Sequence, residues 1–285
     1  MLIGNTEFDF ERRSYVMGIL NATPDSFSDG GRFNQPEAAV DQALRLEAEG
    51  AALIDIGAES SRPGAKEVPA DEEWSRLAPV LRKLAPRLKV PISVDTRRAA
   101  TAEQAVREGV SLINDISGLT HDFRMGEVIA QSGVPCILMH MRGEPETMQR
   151  AVRYLNVVSE IIHFLKKQIE VAVRMGISRS QILVDPGFGF GKELPHNLEI
   201  LRRLSELKAL EAPIVVGISR KSMIRQLLDE ADPRSPEVAH GSVTAAAVAA
   251  LKGASIIRSH DVGPTVRALK VVAAIRETPL EFSKR

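Results

Sequence analysis

A (β/α)8 barrel (a TIM barrel) is the fold class this sequence predicts. Three observations carry that reading: eight short apolar runs, helical periodicity in the stretches between them, and a length of 285 residues, which suits one such barrel. The runs lie at residues 15–20, 53–56, 92–94, 112–113, 136–139, 182–184, 214–218 and 256–257. Each is too short for a helix, rich in Val, Ile and Leu, and without polar alternation, which is how a strand buried on both faces reads. An open doubly wound sheet is the alternative, though it uses fewer strands at this length.

The intervening stretches justify the helices in turn. Residues 37–49 place Ala39, Val40, Ala43, Leu44 and Leu46 to one side and stop at Gly50. Residues 72–84 repeat the pattern with Trp74, Leu77, Val80, Leu81 and Leu84. Further helices are expected at 101–108, 122–132, 157–175, 198–207, 242–252 and 264–276. Residues 1–13 precede the first run, and their short apolar-polar pattern suits a β-hairpin closing the barrel floor. No linker or low-complexity tract interrupts the chain, so 1–285 reads as a single domain.

Composition excludes several function classes. Lys plus Arg is 37 and Asp plus Glu is 37, so there is no positive excess for non-specific nucleic-acid binding. Aromatics are only 4%, which counts against a stacking platform for single strands. The lone cysteine, Cys136, cannot form an internal disulfide, which fits a reducing compartment. No signal peptide and no apolar run of membrane-spanning length is read, so a cytoplasmic location is expected.

The informative residues follow the strands. They are Asn21 and the stretch to Gly31; Gly57-Ala58-Glu59-Ser60-Ser61-Arg62-Pro63-Gly64; Asp95-Thr96; Asn114-Asp115; and Met139-His140-Met141-Arg142-Gly143. Then come Asp185 to Lys192, Ser219-Arg220-Lys221-Ser222, and Arg258, His260 and Asp261. In a barrel all of these reach the C-terminal rim, where active sites are built. Together they form one ring of carboxylates, amides and cations, a candidate active site.

Each piece also has a plainer reading. Asp95 and Asp185 could cap the next helices, although both follow buried runs and should point into the mouth. Arg220 and Lys221 could be exposed cations, but cations at a helix start oppose its dipole unless an anion or acceptor offsets them, which favours a ligand. Gly187-Phe188-Gly189-Phe190-Gly191-Lys192 fails both the P-loop and the G-x-G-x-x-G patterns. It reads as a flexible loop that lets Phe190 cover a flat ligand. His140, His260 and Cys136 lack zinc-ligand spacing, and no G-x-S-x-G elbow is present. The alanine-rich stretch 241–253 suits either barrel packing or a homodimer face.

The rim segments Met17 to Gly31, Asp185 to Lys192 and Gly217 to Ile224 resemble, in order and at barrel spacing, those of the dihydropteroate synthases. These are the folate-pathway members of the pterin-binding barrel family, and the likeness spans Val16 to Val262. The resemblance implies condensation of (7,8-dihydropterin-6-yl)methyl diphosphate with 4-aminobenzoate, giving dihydropteroate and diphosphate with Mg2+ assisting. It implies a pterin floor of Asp95, Asn114, Asp185 and Lys221, with Gly217 beside it and Ile116, Met139 and Phe190 sandwiching the ring. Arg258, His260 and Ser61 match diphosphate-binding positions, and Asn21 matches the Mg2+ ligand. Phe27, Arg62, Pro63 and Ser222 match the aminobenzoate pocket, which sulfonamides imitate. A homodimer is expected on the same ground.

The chemistry of these residue types agrees. A carboxylate such as Asp185 can accept two parallel bonds from the ring N–H and exocyclic amine of a pterin. An amide oxygen suits a hard magnesium ion. Three departures stand out: Ala58 where the family more commonly has glycine, Ser61 where it more commonly has threonine, and Ser259 where it often has valine. None removes a group the reaction needs. The rival readings are a methyltetrahydrofolate:corrinoid methyltransferase of the same barrel family and a non-catalytic pterin-binding paralogue. The first would not need the full first loop, Arg62-Pro63 or 219–222, and the second typically loses diphosphate or aminobenzoate residues kept here.

Overall fold

Eight parallel strands follow one another around a ring. The computed structural model describes residues 1–22, 35–59, 64–65, 67–144, 146–149 and 152–277. A two-stranded antiparallel hairpin, β1 (Leu2–Ile3) and β2 (Thr6–Glu7), precedes the barrel. The barrel strands are β3 (Tyr15–Asn21), β4 (Leu53–Gly57), β5 (Ile92–Asp95), β6 (Leu112–Asp115), β7 (Cys136–Met139), β8 (Ile182–Asp185), β9 (Val215–Val216) and β10 (Ile256–Ser259). Their order is β8-β7-β6-β5-β4-β3-β10-β9, and a parallel bridge from Val184 to Ile214 joins the two ends. That bridge excludes the open doubly wound sheet.

Helices cover the outside: α1 (Gln35–Ala48), α2 (Ala70–Leu84), α3 (Ala99–Arg107), α4 (Met125–Ser132), α5 (Val157–Arg174), α6 (Leu194–Arg202), α7 (Ser222–Leu227), α8 (Pro236–Leu251) and α9 (Val262–Glu277). In α2, acidic Asp71, Glu72 and Glu73 open the helix and basic Arg82 and Lys83 close it, in the sense the helix dipole favours. Its buried Leu77, Val80, Leu81 and Leu84 form the stripe that faces the barrel. Two stretches differ most from the periodicity, and α7 is not among the expected helices. The α8 helix begins six residues earlier than expected, because Ser235 caps the Val238 N–H and Pro236 takes the first turn. The stretch expected at 198–207 divides into α6 and a 3-10 turn, Leu204–Leu210.

The hairpin closes the floor, as expected. Ile3 and Phe8 are fully enclosed against Tyr15, Met17, Leu53, Leu112, Ile137, Leu183, Val215 and Ile256, from the lower ends of the strands. Each such side chain contributes about 1.5–3 kcal/mol. The Phe8 and Tyr15 rings meet edge to face at 4.7 Å, and the Asp9 N–H donates to the Tyr15 hydroxyl. The rim residues lie at the other end of the strands, away from the hairpin.

Candidate active site

Register places the rim residues side by side. Asn21 pairs with Gly57, Gly57 with Asp95, and Asp95 with Asn114; across the barrel Met139 pairs with Asp185. Arg258 rises from β10 and crosses the mouth. Its Nε donates to Asp55 Oδ2 at 2.6 Å, and another guanidinium nitrogen donates to Asp95 Oδ2 at 3.2 Å. Asp55 is fully buried and also accepts from the Ser93 hydroxyl (2.6 Å) and the Asn114 amide (3.1 Å). Gly217 lies beside this arginine, where an added Cβ would sit 3.8 Å from Arg258 Cβ.

The opposite side holds Asp185 and Lys221. Asp185 accepts the Gly187 N–H at 2.7 Å, which fixes its carboxylate. The Lys221 ammonium donates to the Phe188 carbonyl and stands 4.4 Å over the Phe190 ring. Ile116, Met139 and Phe190 form one small apolar cluster above the main core, joined by Met148, which the sequence reading did not single out. Ser219 Oγ lies 3.0 Å from His260 Nδ1 and accepts the His260 N–H. Ser222 opens α7 at the same rim.

Burial sets the protonation. It raises the Asp95 carboxyl to about 7, the Arg258 charge opposing and the Asp55 charge adding to the rise. Asp185 is likewise raised by burial, against the pull of Lys221. Burial lowers the Lys221 ammonium to about 8, with Asp185 holding it up and Arg258 pushing it down. Perturbed acids and bases gathered at one rim make it a candidate functional site.

The structure thus brings together Asn21, Asp95, Asn114, Ile116, Met139, Asp185, Phe190, Gly217, Lys221, Ser222, Arg258 and His260 at one rim. Phe27, Ser61, Arg62 and Pro63 lie outside the described residues. Two expectations change. Arg220 does not wait for a ligand: its guanidinium is held by Asp261 at 3.1 and 2.5 Å. The loop from Gly187 to Lys192 is pinned rather than flexible, because the buried Lys192 ammonium bonds to the carbonyls of Gly187 (2.9 Å), Phe190 (3.0 Å) and His140 (3.3 Å) and to His140 Nδ1 (2.9 Å). Asp55 was missed. Its signal was present: a carboxylate inside the apolar run 53–56 must have a partner when buried.

Fold and rim define an α/β barrel whose C-terminal rim carries a candidate active site. The chain matches the family of pterin binding enzymes over residues 17–260. It is 45% identical over 273 residues to the dihydropteroate synthase of Synechocystis sp., covering 96% of this chain and 94% of that protein. The solved Yersinia pestis dihydropteroate synthase, in a sulfonamide drug complex, superposes with a TM-score of 0.91 at 46% identity, covering 98% of this chain and 99% of that one. The Xanthomonas albilineans dihydropteroate synthase in complex with 7,8-dihydropteroate gives a TM-score of 0.86 at 40% identity, covering 95% and 97%. The chain belongs to the pterin-binding enzyme family, in its dihydropteroate synthase branch, and condenses (7,8-dihydropterin-6-yl)methyl diphosphate with 4-aminobenzoate.

Proposed function

We propose that this condensation takes place in the mouth crossed by Arg258, with Asp95, Asp185, Lys221 and Arg258 carrying it. The observation behind the assignment is that Arg258 joins Asp55 and Asp95 on one wall while Lys221 and Asp185 face it from the other. Asp185 accepts the ring N–H and exocyclic amine of the pterin, and Asn114 meets the neighbouring ring nitrogens. Lys221 donates to the ring carbonyl and nitrogen. Ile116, Met139 and Phe190 cover the ring faces.

The reaction substitutes one bond for another at the exocyclic methylene. The C–O bond to diphosphate breaks with its electron pair leaving on the diphosphate, and the aniline nitrogen forms the new C–N bond and loses a proton. Arg258, His260 and Ser61 receive the departing charge. Asp95 and Asp185 stabilise the positive pterin left behind. The aniline nitrogen is neutral at pH 7, so no strong base is required. Phe27, Arg62, Pro63 and Ser222 receive 4-aminobenzoate, and we extend to this chain the sulfonamide binding seen for the Yersinia pestis enzyme.

Magnesium is part of the proposal. Among the described residues no group of three or more His, Cys, Asp or Glu side chains could hold a metal ion. Asn21 offers one amide oxygen at the end of β3, a donor set suited to an ion that takes its other ligands from diphosphate and water. When bound, the ion would neutralise charge on the leaving diphosphate.

We also propose a homodimer and a cytoplasmic location. Ala245, Ala246, Ala249 and Ala250 are buried within the single chain, so barrel packing accounts for them. Leu251 on α8 and Val271 and Ile275 on α9 are 50–61% exposed, and a second copy would cover them. Among the described residues no helix is long and apolar enough to cross a membrane. The test of function is direct: purified protein, dihydropterin diphosphate, labelled 4-aminobenzoate and Mg2+ should yield labelled dihydropteroate. No product under these conditions would remove the assignment.

A further inference from the structure

Lys192 is 2% exposed, and burial, then the Lys221 charge, push its ammonium well below the usual lysine range, so it stays charged only through the acceptors around it. Three backbone carbonyls, those of His140, Gly187 and Phe190, converge on its ammonium, and His140 Nδ1 completes the set. Three carbonyl dipoles aimed at one point repel each other unless a cation lies between them. The backbone is drawn in tightly here. At Gly187 (φ 69°) a side chain would collide with the His140 carbonyl, and at Gly191 (φ 64°) with the Arg142 carbonyl.

The imidazole fits its part. Burial, then the Lys192 and Arg142 charges, lower His140 to about 2, so Nδ1 keeps a lone pair to accept with. Asn197 ties the same loop from the α6 side, accepting from the Gly189 N–H at 2.8 Å and donating to the Lys192 carbonyl at 3.2 Å.

What hangs on this cage is the pterin side of the rim. Gly187 supplies the N–H that fixes Asp185, Phe188 supplies the carbonyl that holds Lys221, and the Phe190 ring lies beneath the Lys221 ammonium. We propose that Lys192 is a positioning residue: its ammonium, set in a cage of three carbonyls and an imidazole, preforms the loop that presents Asp185, Phe190 and Lys221 before the pterin arrives. The proposal rests on the reading of this rim as the pterin site. Lys192 makes no contact with the reacting atoms in it. It acts by keeping the cost of ordering the loop out of the binding step.

Two Lys192 variants, Asp185→Asn and one measurement on the unaltered enzyme test this. Lys192→Met removes the charge and every donor, and Lys192→Gln keeps two N–H donors without the charge. Unreactive 6-hydroxymethylpterin serves as the binding probe. In Lys192→Met the pterin Kd and the KM for dihydropterin diphosphate should rise at least tenfold. The KM for 4-aminobenzoate at saturating pterin should stay within twofold, and Lys192→Gln should fall between the variant and the parent.

A folded Lys192→Met that binds the pterin within twofold of the parent overturns the proposal. So does an equal rise in both KM values, which would mark general packing damage. Should neither variant fold, hydrogen exchange on the unaltered enzyme decides. The amides of Gly187, Gly189 and Phe190 should be protected before any ligand is added, and exchange at open-chain rates until pterin binds overturns the proposal. Asp185→Asn separates the two levels. If that variant binds the pterin normally, the site reading has failed; if it loses the pterin while Lys192→Met keeps it, only the role given to Lys192 has failed.

Discussion

Arg258 places its Nε 2.6 Å from Asp55 Oδ2, a carboxylate 203 positions earlier in the chain, by passing over β3 from β10 to β4. Asp55 has no exposed surface, while the Arg258 side chain keeps 19%. The pair is therefore buried on one side and open to the mouth on the other. Breaking a buried pair by removing one partner costs about 3–5 kcal/mol, because the remaining group is stranded. Arg258 retains Asp95 and some solvent, so the lower end applies. Asp55→Ala is expected to destabilise the fold by about 3 kcal/mol in denaturant unfolding. A loss under about 1 kcal/mol would mean the pair adds little.

Asp185 should matter to binding more than to folding. Its carboxylate is already oriented by the Gly187 N–H, so exchange for an amide keeps the shape and loses the fork. Two bonds to a charged acceptor are worth about 1.5–3 kcal/mol each, so Asp185→Asn should weaken pterin binding by about 100-fold or more. Calorimetry with a pterin checks this, and unchanged affinity would contradict it.

The pH profile follows from two shifted groups. Asp95, raised to about 7 by burial, is charged above that value; Lys221, lowered to about 8 by burial, is charged below it. A rim that needs both charges works best between them. The kcat/KM for dihydropterin diphosphate should therefore rise with pH toward 7 and fall beyond 8. Asp95→Asn should lose the acid limb and keep the alkaline one; an acid limb unchanged in that variant would assign it elsewhere.

Much of this was legible in the strands. Buried parallel strands read as apolar runs, and the polar residues that end them landed on one rim because parallel strands share a direction. What was hidden depended on contacts far apart in the chain. Asp55 looked like part of an apolar run until Arg258, Ser93 and Asn114 surrounded it. The glycines at 187 and 191 read as freedom, whereas in the fold they allow two backbones to touch. Arg220 looked unpaired because its partner, Asp261, arrives on the next strand's loop. The α8 start was readable from Ser235-Pro236, a capping signal that periodicity alone passes over.

Asn21 gives a metal prediction. Asn21→Ala should raise the Mg2+ concentration needed for half-maximal rate by about tenfold, on the loss of one oxygen ligand. A superimposable titration would remove Asn21 from the metal's shell.

The exposed apolar face predicts assembly. Val271→Glu should convert a dimer to monomers in sedimentation, since a charge would be buried at the contact. A parent protein that sediments as a monomer at micromolar concentration would dispose of the dimer.

The central claim is that the barrel mouth holds the heterocycle, and a crystal structure with a pterin bound tests it most directly. The ring should lie against Ile116, Met139 and Phe190, with its N–H and exocyclic amine on Asp185. A pterin seated elsewhere would contradict the account, for example in the groove of about 490 Å³ at the floor lined by Met1, Gly4, Ser111, Pro135 and Gln181.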